Sequence, residues 1–130
     1  MFIKYQNERL RVTSITEYTD EGLTTNGKYL IKVRFGMKSR LFYSDVEGDH
    51  IAFLQALDSI LEVEKKFIQL NTIRIKGTTV SKYTVTENPT TNSFNIKLVT
   101  NSGNYTYKAK TRHELDGVIN YLDTFFKVVN

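Results

Sequence analysis

Shifted by half its length, 65 of its 130 residues, this sequence aligns with itself without a gap. Phe2-Ile3 falls on Phe67-Ile68, and Arg9-Leu10-Arg11 falls on Arg74-Ile75-Lys76. Ile15 meets Val80, Tyr18-Thr19 meets Tyr83-Thr84, Tyr29 meets Phe94, and Ile31-Lys32-Val33 meets Ile96-Lys97-Leu98. Phe42 meets Tyr107, and Leu54, Leu57-Asp58, Leu61 and Val63 meet Ile119, Leu122-Asp123, Phe126 and Val128. Chance similarity needs gaps and fades along the chain; this one does neither. The chain therefore reads as a tandem duplication, residues 1–65 and 66–130. A unit of that size buries too little surface to be stable alone, so the two are expected to share one compact domain.

One unit shows the architecture. Phe2 to Tyr5 is a short alternating run, and Arg9 to Tyr18 a longer β-rich one. In the second run Leu10 and Val12 point one way and Ile15 the other, which a bulge or bend near Thr13-Ser14 reconciles. From Lys28 to Phe35 the alternation is clean, with Ile31 and Val33 on one face and Lys32 and Arg34 on the other. Asn26-Gly27 and Gly36-Met37 supply hairpin turns, and Lys38 to Ser44 makes a further strand. From about Val46 the period changes to helical, with Ile51, Leu54, Leu57, Ile60 and Leu61 in one stripe. The second unit repeats this, and Thr111 with Glu114 three residues on is a capping box opening the last helix. Pro89, the sole proline, falls in a loop. The predicted fold is α+β, a β-β-β-β-α unit twice, mostly antiparallel, with one helix closing each repeat.

Charge is sorted by element. The strand regions 1–44 and 65–112 hold all but one of the 18 Lys and Arg, and only five of the 14 Asp and Glu. The helices are correspondingly acidic. A helix covers one face of its sheet, so the other face is expected to be basic and to attract polyanions. Strand parity and repetition nominate Arg9, Arg11, Lys32, Arg34, Tyr43, Arg74, Lys76, Lys97, Lys108 and Lys110 for that face. Tyr18 and Tyr83 are further aromatic candidates. Cations interleaved with aromatic rings on a sheet suit single strands, whose phosphates track the charge while bases stack. Solvated strand lysines and half-buried cross-strand tyrosines are the blander reading of each residue taken singly.

Catalytic signals are missing. The sequence has no phosphate-binding glycine loop and no HExxH, and it lacks cysteine altogether. His50 and His113 have no third ligand at a metal-site spacing, so neither a metal nor a cofactor is expected. Glu47 with Asp49, and the repeated Asp58 and Asp123, fit a helix start and a solvated helix face better than acid–base work. The start has no apolar leader, and no apolar run nears a membrane span. Together these predict a cytoplasmic protein that is not an enzyme.

The β-β-β-β-α order, repeated, resembles the PC4-like single-stranded DNA-binding proteins, and especially the Whirly arrangement in which two such units are fused. The lysine-glycine-lysine segment of that family has only a poor counterpart in Ile75-Lys76-Gly77-Thr78 of the second unit, and the first unit lacks it, with Arg11-Val12-Thr13 at that place. The resemblance implies binding of single-stranded DNA or RNA across the sheet with little sequence preference. It also implies a homo-oligomer formed through helix faces, which the Phe125-Phe126 end would suit. Two other readings compete: a small protein-binding regulatory or inhibitory module, of a phage or mobile element for instance, and a structural subunit of an assembly.

Overall fold

The computed structural model describes residues 1–88 and 90–129, and Pro89 lies outside them. The fold is α+β with antiparallel sheets. The chain divides into two compact units, Met1–Lys76 and Gly77–Asn130, so the division falls inside the second repeat.

In the first unit, β1 (Phe2–Tyr5) and β2 (Glu8–Arg11) form a hairpin of their own. A 3-10 turn over Val12–Ser14 follows, at the place where the apolar parity breaks. It keeps both Val12 and Ile15 buried, which one straight strand could not do. Then come β3 (Glu17–Leu23), β4 (Tyr29–Phe35), β5 (Lys38–Ser44) and the helix α1 (Glu47–Ile60). Asn26-Gly27 turns β3 into β4, with Gly27 at φ +80, and Gly36 at φ +67 turns β4 into β5. Such left-handed angles are open to glycine without steric cost. The next hairpin, β6 (Phe67–Leu70) and β7 (Ile73–Lys76), joins the same sheet, whose order is β5-β4-β3-β7-β6. Ile15, Tyr18, Ile31, Val33, Phe53 and Leu57 make the centre of the core between sheet and helix.

The second unit continues through a 3-10 turn over Gly77–Thr79 into β8 (Val80–Asn88), β9 (Ser93–Thr100), β10 (Gly103–Ala109) and α2 (Arg112–Phe125). Its sheet has three strands in the order β10-β9-β8, and α2 packs on β9 and β10. Ile96, Leu98, Tyr107, Leu115 and Leu122 are buried.

The half-length offset reappears in the backbone. The hairpins pair Phe2 with Arg11 and Phe67 with Lys76. Tyr18 faces Val33 as Tyr83 faces Leu98, and Tyr29 faces Ser44 as Phe94 faces Ala109. Both helices are 14 residues long. One relation is not repeated among the described residues: β7 pairs with β3, whereas β2 pairs only with β1 and β8 only with β9.

The helix starts differ in capping. Thr111 Oγ1 accepts from Glu114 N at 3.1 Å, while the Glu114 carboxylate reaches back to Lys110 N at 2.8 Å. α1 opens at Val46, which offers no side-chain cap.

Candidate nucleic-acid interface

Alternation decides which residues of the second unit's sheet look away from α2. Ile96 and Leu98 point to the helix, so Asn95, Lys97 and Val99 point outward. The register carries this parity across: Lys82 faces Val99, Lys97 faces both Thr84 and Thr106, and Asn95 faces Lys108. Lys82, Lys97 and Lys108 therefore lie on a diagonal, one per strand, each a residue pair further along. Diagonal neighbours on a sheet are roughly 7–8 Å apart. Lys110, just past β10, prolongs the line. All four lysines are exposed, and none of their amino groups has an ion pair or hydrogen bond among the described residues. No carboxylate stands on this face of the three strands: Glu87 is opposite Phe94 on the other parity and pairs with Arg112 at 3.2 Å.

The same diagonal in the first unit is chemically different. Half the chain length earlier, Lys82, Lys97, Lys108 and Lys110 become Glu17, Lys32, Tyr43 and Asp45. Lys32 and Arg34 do stand on the outer face, but they share it with Glu17 and Glu21, and Arg34 Nε lies 3.9 Å from Glu17. Tyr43, 41% exposed, is the aromatic residue that the outer face of β5 offers. The basic face expected on both sheets is thus concentrated on the second.

The remaining nominated residues lie elsewhere. Arg9 and Arg11 are exposed on β2; Arg11 lays its guanidinium over the Phe2 ring at 4.6 Å, and Arg9 donates to the Asn7 carbonyl at 3.3 Å. Lys76 ends β7 with its amino group 3.5 Å from the Thr13 carbonyl. Arg74 is only 7% exposed and points to the helix side. Its Nη2 donates to Asp58 Oδ2 at 3.3 Å, and its Nε lies 3.2 Å from Oδ1. A buried, paired guanidinium is not offered to a phosphate, so Arg74 leaves the interface.

The repeated tyrosines are corrected for the same reason. Tyr18 is fully buried and donates to Asp58 at 2.6 Å; Tyr83 is half-buried and donates to Asp123 at 2.6 Å. Burial first, then the carboxylate partner, raises both phenol pKa values above the ordinary tyrosine range. Neither ring is a stacking platform. Asp58 and Asp123 in turn are inward-facing acceptors and not members of a solvated helix face. Tyr107 donates to Glu114 at 2.6 Å, and that bond with burial pushes its phenol up to about 12. Phe125 and Phe126 pack against each other, and Phe126 lies 5.6 Å from the Tyr83 ring. The apolar end that the sequence offers for association is used inside the unit.

Lys82 is the residue the strand pattern alone did not nominate. It sits beside the irregularity where β8 slips register between Val80 and Lys82, so its face cannot be counted from Val80. Its half-length counterpart, Glu17, follows the 3-10 turn and was equally unreadable. His50 is buried with Nε2 2.9 Å from Asp20 Oδ1, and His113 is exposed. No three metal-ligating side chains converge among the described residues. Nor is any helix among them long and apolar enough to cross a membrane.

No protein-family model, curated protein or solved structure matches the chain.

Proposed function

We propose that this protein binds single-stranded nucleic acid, DNA in preference to RNA, by tracking phosphates along the Lys82–Lys97–Lys108–Lys110 diagonal. The carrying observation is the diagonal itself: four exposed lysines whose amino groups make no ion pair or hydrogen bond among the described residues, with no carboxylate on that face of the three strands. Backbone polyanions are held by such lines of cations, and the affinity they supply carries little sequence information. The diagonal lies on the face of a three-stranded sheet and not on a helix or a two-stranded ribbon of the kind that enters a duplex groove, which supports the single strand as ligand. The face carries threonine and asparagine in place of aromatic rings, so phosphate contact and side-chain hydrogen bonding, not base stacking, dominate. The resemblance of the β-β-β-β-α order to the PC4-like and Whirly proteins agrees with binding across a sheet.

Fluorescence anisotropy with labelled single-stranded and duplex oligonucleotides, at low and physiological salt, tests the proposal. The single strand should bind more tightly. Replacing Lys82, Lys97 and Lys108 by Ala should flatten the plot of log affinity against log salt by about 2, since each phosphate contact on a single strand contributes roughly 0.7. Binding that keeps its salt slope in the triple variant would place the ligand elsewhere, and no binding at low salt would end the proposal.

A further inference from the structure

The two β-hairpins of this chain are equivalent in sequence and register but not in what they touch. The second strand of the second hairpin, β7, pairs with β3: Ile75 faces Glu17, Arg74 faces Tyr18 and Ile73 faces Thr19. Lys76 N donates to the Thr16 carbonyl at 2.8 Å, and Asp20 N donates to the Thr72 carbonyl at 2.9 Å. Phe67 packs on Tyr18 with ring centroids 5.8 Å apart. Arg74 completes the seam by reaching Asp58, which Tyr18 also holds.

Each partner in that seam has a half-length counterpart, and β2 and β8, the counterpart strands, are not paired with one another among the described residues. β2 matches β7, and β8 matches β3; both keep a free edge. Phe2, matching Phe67, is 51% exposed where Phe67 is 2%. Arg9, matching Arg74, already curls onto the Asn7 carbonyl as Arg74 curls onto that of Thr72, at 3.3 and 3.0 Å, yet it has no carboxylate. Asp123, matching Asp58, holds Tyr83 and has no cation. Tyr83 is half-exposed where Tyr18 is covered.

We infer that copies of this protein associate head to tail, β2 of one copy adding as a fourth strand to β8 of the next. Carried over by the offset, the register sets Leu10 opposite Lys82, Arg9 opposite Tyr83 and Glu8 opposite Thr84. Arg11 N then donates to the Ser81 carbonyl, and Val85 N donates to that of Asn7. Arg9 pairs with Asp123 beneath the new strand, and Phe2 covers Tyr83. Strand addition of this kind takes its affinity from main-chain bonds and its specificity from side chains that alternate along the strand. The interface is heterologous, so each copy donates one edge and accepts at the other, and assembly runs on as an open array or closes into a ring. A second copy is the chosen occupant because this chain already contains the same seam, with the same arginine and aspartate, inside its own first unit.

Sedimentation velocity over a concentration series tests this with wild type, Arg11→Pro and Arg9→Glu. Proline suits position 11, whose φ is −72, and removes the N–H that points to the missing strand along with the guanidinium over Phe2; Arg11→Ala, which loses the side chain alone, is its control and should still assemble. Wild type should grow in mass with concentration. Arg11→Pro should remain single, and when added to wild type it should shorten the assemblies, because it still accepts through β8 but donates nothing. Arg9→Glu sets two carboxylates together and should weaken association by roughly 30-fold or more. Circular dichroism establishes that each variant is folded. A wild type that stays monomeric throughout, or an Arg11→Pro variant that assembles like wild type, overturns the inference. Lys82 lies at the new seam with Glu8 beside it, so oligonucleotide binding to the lysine diagonal is read separately, at a protein concentration where sedimentation shows single copies.

Discussion

Tyr18, fully buried under α1, donates its hydroxyl proton to Asp58 Oδ1 at 2.6 Å, and the same carboxylate holds the Arg74 guanidinium. One aspartate thus joins strands β3 and β7 to the helix. Its counterpart Asp123 receives only Tyr83. Asp58→Ala should therefore destabilise far more than Asp123→Ala. Removing Asp58 strands a buried cation, a loss of about 3–5 kcal/mol, whereas the Tyr83 bond to a charged acceptor is worth roughly 1.5–3 kcal/mol. Urea denaturation of each variant measures the gap. Equal losses would mean that Arg74 draws nothing from the pair.

Alkaline titration followed by tyrosine absorbance should show a late-ionising class among the eight tyrosines. Tyr18, Tyr83 and Tyr107 belong to it, Tyr107 at about 12. Their folded pKa values lie above the unfolded one, so the stability they contribute is complete below about pH 10 and is lost as pH rises beyond it. Thermal melts across that range should fall together with the first ionisation of the late class. A single transition near pH 10 with no loss of structure would contradict the buried hydrogen bonds.

Glu114 provides the acid-side counterpart. Its carboxyl pKa is lowered by the bond from Tyr107, then by the one from Lys110 N. A depressed folded pKa contributes stability above the unfolded value that disappears as pH falls through the folded one. Glu114→Gln should thus lower the melting temperature at neutral pH and make little difference at strongly acid pH. A deficit that is the same at both would assign the effect to packing.

The two helix starts invite opposite substitutions. Thr111→Ala removes the side-chain acceptor for Glu114 N and should cost about 1 kcal/mol. Val46 is exposed, extended and without a cap bond, so Val46→Ser should stabilise α1 by a comparable roughly 1 kcal/mol. Denaturant midpoints at constant slope would report both.

Exchanging charges between equivalent positions tests the lysine diagonal in both directions. Lys82→Glu should weaken oligonucleotide binding, while Glu17→Lys should strengthen it by making the first sheet more like the second. Opposite shifts in anisotropy titrations at one salt concentration are expected. The diagonal predicts a larger shift at Lys82 than at Glu17; shifts of equal size and opposite sign would point to a general charge effect, because the two substitutions change the net charge by the same amount in opposite directions.

Much of this molecule is legible along the chain because the relevant signals are local. Apolar alternation marks β4 and β9 and the period change marks α1 and α2, since one face of each must leave water. The half-length offset predicts the recurring registers, and Gly27 and Gly36 announce their turns through the left-handed angles they allow. Lys32, Lys97, Lys108 and Lys110 are placed outward by simple parity.

What the tertiary structure alone decided is every relation that joins distant strands or crosses a break in parity. Arg9 and Arg74 carry the same local signal, yet one is exposed and the other is sealed against Asp58. Lys82 and Glu17 follow 3-10 turns that reset the face count. Tyr18, a candidate platform by repetition, is core because β7 and Phe67 close over it. Sequence sets which residues seek burial or charge; the choice of partner depends on which edge lies within reach when the strand arrives. Two hairpins with one local code could therefore meet different fates.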